Sequence, residues 1–178
     1  LDYRKKCAST VFSMTSQYDS VIANYFIEDI CELPEKKTIS LEKSADLRYG
    51  ENPHQIAAFY MPTEKSTCWN QHQGKELSYN NYSDIETAYS IVKDFSDTAC
   101  AIVKHANPCG FGLGDNPKRA FMRAVSTDPV SYFGGIIGFN REVDSYIAQE
   151  LVQPFLECII APSYSKKALE IFKKKKNL

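Results

Sequence analysis

The chain has 178 residues, 43% of them hydrophobic and 24% charged, and a net charge of −1. This is enough apolar material for a real core, and the balanced charge gives no electrostatic footprint for nucleic acid. No run of 18 apolar residues and no signal-like N-terminus occurs, so the sequence indicates neither a membrane span nor secretion and reads as cytoplasmic. Six cysteines stand at 7, 31, 68, 100, 109 and 158 with no C-x-x-C among them. That spacing suits neither a zinc site nor a disulfide scaffold.

Residues 1–26 place Cys7, Val11, Met14, Tyr18, Val21, Ile22 and Tyr25 at three-four spacing, which predicts an amphipathic helix. It starts with no cap at Leu1, as expected of a chain cut from something longer. Residues 27–46 are charged and aperiodic and read as a connecting segment. Gly50 and the following "ENPH" signal a turn, with a strand expected over Ile56 to Tyr60 and an irregular excursion over 61–79. Ser83-Asp84-Ile85-Glu86 has the form of a capping box opening a helix, with Ile85, Ala88, Tyr89, Val92 and Phe95 on one face.

The apolar run 99–103 then reads as a parallel strand covered on both faces, continuing to residue 105. "NPCGFG" reads as a Gly-rich turn, and Asn116 with Pro117 as a helix cap. "YFGGIIGF" over 132–139 predicts a strand, and a helix follows from Ser145, ended or kinked at Pro154. "ECIIAP" predicts a last strand, residues 165–172 a last helix, and Lys173 to Lys176 a solvated tail. Alternating helix and strand gives the fold class α/β: a layered sheet with helices on both faces, behind an N-terminal amphipathic helix.

Four stretches carry chemistry. In "RYGENPHQ", Arg48 beside a turn is a natural fork for phosphate or carboxylate, and equally an ordinary surface residue. In "SYNNYSD", the amides of Asn80 and Asn81 can read a heterocycle or serve their own turn. "KHANPCG" sets Lys104 and His105 at the end of a buried strand, where ligand sites of open α/β sheets lie. A histidine there can move a proton, or can be a hydrogen-bonded structural residue. In "SYFGG", Phe133 can stack on a flat ring while Gly134 and Gly135 let backbone approach a ligand, or simply kink a strand.

In order, "LRYGENPHQ", "SYNNYSD", "KHANPCG", "FGGIIGFNREVD" and "IIAPSYSKKALEI" resemble the transformylase domain of the PurH family. Its members join an aminoimidazole carboxamide ribonucleotide (AICAR) transformylase to an IMP cyclohydrolase. The match runs from about residue 45 to 174. The resemblance implies residues 1–44 as helix and linker from the cyclohydrolase half, and 45–178 as the first of two cytidine-deaminase-like halves of the transformylase domain. It implies formyl transfer from 10-formyltetrahydrofolate to AICAR in de novo purine biosynthesis, with no catalytic metal. A homodimer is implied for the full-length protein, and an incomplete site for this chain alone.

By the same resemblance Arg48 and Tyr49 match a nucleotide-binding pair. His105 matches the proton acceptor and Lys104 the basic residue that supports it. Phe133-Gly134 matches a backbone contact to AICAR, Glu157 a carboxylate holding the substrate's amine or amide, and Asn81 a further substrate contact. A zinc nucleoside deaminase is the rival reading, and it needs H-x-E and P-C-x-x-C. Here Ala106-Asn107 follows His105, and Gly110-Phe111-Gly112 follows Cys109, so the glutamate and the second thiolate are both missing. A folded module with no catalysis of its own is the other alternative.

Overall fold

A computed structural model describes residues 1–28, 33–62 and 69–178. Cys31 and Cys68, and most of the first part of the excursion expected over 61–79, lie outside the described residues. The chain divides into two compact units, residues 1–45 with 59–68, and residues 46–58 with 69–178.

The first unit is organised on helix α1 (Asp2–Glu28). The helix exists where the spacing put it, but its apolar stripe does not make its contacts. Val11, Met14, Tyr18, Val21 and Tyr25 are exposed, while Ser20 is 5% exposed. The bonding face is polar: Ser20 Oγ and Asn24 Nδ2 donate to Thr38 O at 3.5 and 3.2 Å, and Gln17 Nε2 donates to Glu42 at 3.2 Å. The segment read as a connector contains strand β1 (Leu41–Leu47), which pairs with β2 (Ala57–Pro62) in a two-stranded sheet. The charges of "LEKSADL" sit on a largely exposed strand, which is why no apolar run announced it.

The second unit is a layered α/β structure. Its sheet has the order β4-β3-β5-β6, built from β3 (Thr98–Lys104), β4 (Asn107–Gly114), β5 (Ile136–Phe139) and β6 (Cys158–Ile160). Helix α2 (Tyr79–Lys93) covers one face, where Ile85 and Ala88 meet Val103 and Ile136, and Val92 meets Ala99 and Ala101. On the other face Cys100, Ile102, Ile137 and Phe139 pack with α3 (Pro117–Thr127), α4 (Ser145–Leu151) and α5 (Lys166–Phe172). The cap read from sequence at Asn116 forms, and Ser165, expected as the first residue of the last helix, is its cap; each side chain accepts a backbone N–H three residues on.

Two expectations fail here, for one reason. β3 is buried on both faces but is antiparallel to β4 and to β5; only β5 and β6 run parallel. Helices on both faces are enough to make a strand apolar throughout, whatever its direction. The "NPCGFG" stretch is strand β4, not a turn. Its glycines at 110, 112 and 114 recur at period two, so they line one face. A Cβ at any of the three would collide with the backbone of Ala124, Ala120 or Arg119. They are there so that α3 can lie directly on the strand. Opposite Ile102 and Val103 the ladder slips by one residue, leaving Cys109 as the extra residue of a β-bulge.

Two boundaries also shift, and the tail is fastened. α2 begins at Tyr79, five residues before the predicted Asp84, because Ser78 is its cap. The strand expected over 132–139 keeps only its last four residues as β5; before it the chain turns, with Gly134 at φ +73°. The lysine run at 173–176 has exposed side chains but a fastened backbone, since Gln73 Nε2 donates to Phe172 O, Lys175 O and Leu178 O at 2.9–3.1 Å.

Candidate functional site

The turn between β3 and β4 consists of two residues, His105 and Ala106, and neither is glycine. Both have positive φ, +53° and +57°. Left-handed backbone at both central positions is what a two-residue hairpin of this kind requires, and Asn-Gly or Gly-Gly normally supplies it. Here an imidazole stands at an exposed tip in a conformation side chains disfavour, and strain of this sort collects at functional sites.

The peptide unit that follows His105 is held at both ends. Its carbonyl accepts from Asn107 Nδ2 at 2.8 Å, and its N–H, on Ala106, donates to Asp84 Oδ1 at 2.5 Å. Lys104, the last residue of β3, is on the α3 side of the sheet with Cys100 and Ile102, and its Nζ donates to Phe133 O at 3.1 Å. The loop that offers this carbonyl is shaped by Asp128, whose Oδ1 accepts from Val130 N and Ser131 N at 3.0 and 2.8 Å. The Ser131 hydroxyl, these two amides and, more weakly, Lys104 hold the Asp128 carboxyl below its usual range. Asp128 was missed in the sequence; "DPVS", an Asp heading a Pro-containing turn, was the signal.

Gly134 and Gly135 carry the loop into β5. Gly134 N donates to Phe155 O at 2.8 Å, Gly135 N to Tyr132 O at 3.0 Å, and Glu157 N to Gly135 O at 3.1 Å. The Phe133 ring lies 5.5 Å from Phe155 and remains 57% exposed, so a broad aromatic face is still open. Beneath the hairpin, burial pushes the Cys109 thiol up, and its Sγ lies 3.6 Å from Ile102 O.

Arg48, Tyr49 and Asn81 form a second group. Arg48 Nη2 donates to Tyr49 Oη at 3.2 Å and reaches Asn81 Oδ1 at 3.5 Å, with the guanidinium 4.9 Å from the Tyr49 ring centre. Arg48 Nε is buried without a partner, a costly state for a cationic donor. The turn behind it is tight: Gly50 N donates to Gln55 O, and Asn52 N to Gln55 Oε1 at 2.8 Å. Asn81 Oδ1 also accepts from Ser78 N and Ser78 Oγ, both at 3.0 Å. It is the third residue of the capping box of α2, so the reading of this amide as a servant of its own turn is realised.

The predicted residues thus fall into two groups, and the first turns of α2 touch both, through Asn81 at Arg48 and Asp84 at the His105 turn. Among the described residues no group of three His, Cys, Asp or Glu side chains is arranged to hold a metal ion, and no helix is long and apolar enough to cross a membrane.

Known proteins match this chain along its whole length. Proteins named "Bifunctional purine biosynthesis protein PurH" from Bacillus cereus (strain ZK / E33L) and Bacillus cereus (strain B4264) are each 51% identical over 98% of the chain. The homologue of that name from Bacillus anthracis (strain CDC 684 / NRRL 3495) is equally similar. The chain spans 35% of the length of these relatives. The AICARFT/IMPCHase bienzyme family matches residues 1–178, and with this identity the chain belongs to that family of purine biosynthesis enzymes.

Proposed function

We propose that this chain carries the proton-accepting part of an AICAR transformylase site, working with 10-formyltetrahydrofolate as formyl donor. The observation that carries the reading is the hairpin tip: His105 held in left-handed backbone, directly after a Lys104 anchored on Phe133 O. The amine of AICAR is a poor nucleophile, because its lone pair is drawn into the imidazole carboxamide. As its nitrogen bonds to the formyl carbon, His105 takes the N–H proton. Lys104 supplies positive charge to the oxyanion of the tetrahedral intermediate. Collapse breaks the bond to N10 of the folate, which leaves with the proton as tetrahydrofolate.

The remaining residues bind. Arg48 and Tyr49 take the phosphate or the adjoining ribose, Phe133 and Gly134 lie along the heterocycle, Glu157 receives the substrate's amine or amide, and Asn81 fixes Arg48. The second transformylase half and a partner subunit complete the site in this reading, so the chain alone binds weakly and does not turn over. No step calls for a metal.

The test is His105→Ala in the full-length protein. Formyl transfer should fall by about 10²–10⁴-fold with AICAR affinity within a few-fold. Cyclohydrolase turnover in the same preparation should be unchanged. Transfer within twofold of the parent removes His105 from the mechanism, and loss of cyclohydrolase turnover alone assigns this chain to the other activity.

A further inference from the structure

Asp84 has no role in the chemistry just described, yet it makes the shortest bond at the hairpin tip. In a two-residue hairpin the ladder closes between the flanking residues, here Lys104 and Asn107. The N–H of the second loop residue is left outside that ladder. Ala106 N–H instead donates to Asp84 Oδ1 at 2.5 Å. The carbonyl of the same peptide unit accepts from Asn107 Nδ2 at 2.8 Å. One peptide plane is therefore clamped at both polar ends, and its orientation sets ψ of His105 and φ of Ala106. Relative to that plane the Cα–Cβ bond of His105 is set by ψ of His105, so fixing the plane fixes the direction in which the side chain leaves the tip.

The clamp has something to work against. Neither residue is glycine, and both are left-handed. Free of restraint, such a dipeptide relaxes toward the ordinary right-handed or extended regions and carries its side chains with it. A carboxylate accepting an amide N–H is a charge-assisted bond, of the stronger class. It also comes from a rigid source. Asp84 lies in the second turn of α2, three residues after Asn81, and residues so spaced share a helix face. Asn81 is fixed by Ser78 and in contact with Arg48. One helix face thus bears on both groups of the candidate site.

We propose that Asp84 is a positioning residue for His105, holding the 105–106 peptide so that the imidazole is aimed at the reacting amine. The inference rests on the formyl-transfer reading. Misplacement of a reacting group by about 1 Å costs on the order of 10²-fold in rate. In the full-length protein Asp84→Ala should therefore lower kcat for formyl transfer by roughly 10–100-fold, with KM for AICAR within about threefold. Asp84→Asn keeps an acceptor oxygen in nearly the same place and should recover most of the loss.

A double-mutant cycle separates aiming from general support. Because Asp84 acts through His105, Asp84→Ala should cost almost nothing further in a His105→Ala background. An independent loss there, a rise in KM with kcat unchanged, or an Asp84→Ala enzyme at full rate overturns the proposal. Amide exchange in the unsubstituted 178-residue chain tests the clamp without any variant. Ala106 N–H should exchange at least about tenfold more slowly than in an unstructured peptide, and exchange at the unstructured rate overturns it. If His105→Ala proves harmless to formyl transfer while Ala106 is protected, the functional reading falls and the clamp stands.

Discussion

Helices α1 and α3 both carry apolar residues at helical spacing and meet opposite fates. α3 buries Ala120, Phe121 and Ala124, and lies on a strand whose facing residues are the glycines of β4. α1 has an apolar stripe of its own, yet Val11, Met14, Tyr18, Val21 and Tyr25 are exposed, while Ser20 is buried. The lesson is that periodicity identifies a face and not a contact. α3 has a surface cut to receive it, whereas α1 is tied to Thr38 and Glu42 by polar side chains between its apolar ones.

The contrast breaks most decisively at Gly112. A Cβ there meets the backbone of Ala120 and Ala124, which has no flexible end to move aside. Gly112→Val should destabilise the chain by about 3 kcal/mol, the upper part of the usual overpacking range, in urea titration. A loss below about 1 kcal/mol would mean that α3 can lift away, and that its fit to β4 is no tighter than the setting of α1.

A smaller effect distinguishes the thiols of the two units. Burial pushes Cys158 from 9.0 up to about 12, and Cys100 is raised by the same cause, whereas Cys7 on α1 is exposed. The unfolded chain releases the Cys158 proton near 9.0 while the folded chain retains it to about 12. Between those values the folded state binds more protons, so its stability falls as pH rises, by at most about 1.4 kcal/mol per pH unit for this group. Cys158→Ala should flatten the stability profile over about pH 9–10 by up to that slope. Equal slopes in the parent and Cys158→Ala would show that the thiol is not effectively buried.

The smallest effect is expected on α1 itself. Tyr18→Gln should change the stability of the chain by no more than about 0.5 kcal/mol, as for other exposed positions. A loss above about 2 kcal/mol would show that Tyr18 is covered in solution and would erase the contrast with α3.

Much of the second unit was legible because its signals are local. The cap at Asn116 with Pro117, the helix over 165–172 and the burial of 99–103 each follow from a few adjacent residues. What could not be read was non-local. Nothing within "NPCGFG" says whether its glycines turn the chain or admit a helix, since the answer lies with Ala120 and Ala124. The real turn, His105-Ala106, has no turn residue in it, because side chains elsewhere, Asp84 among them, hold it. Ser83-x-x-Glu86 fits the capping-box pattern better than Ser78-x-x-Asn81, yet Ser78 caps the helix. At the candidate site, Lys104 and His105 stood out as residue types misplaced at a strand end. Asp84 and Asp128 did not, because an acidic residue in a helix or turn is ordinary until its partner is known.

The bulge in β4 bears on how this hairpin can change over generations. Cys109 is the extra residue between the pairs Ile102–Gly110 and Val103–Pro108. Removing Cys109 would straighten the ladder while leaving Gly110 opposite Ile102 and Pro108 opposite Val103, so the side chains on both sides of the slip keep their faces. The register thus leaves residue 109 open to replacement and to loss. Lineages descending from this hairpin can shorten it by that one residue and still present the glycines of β4 to α3.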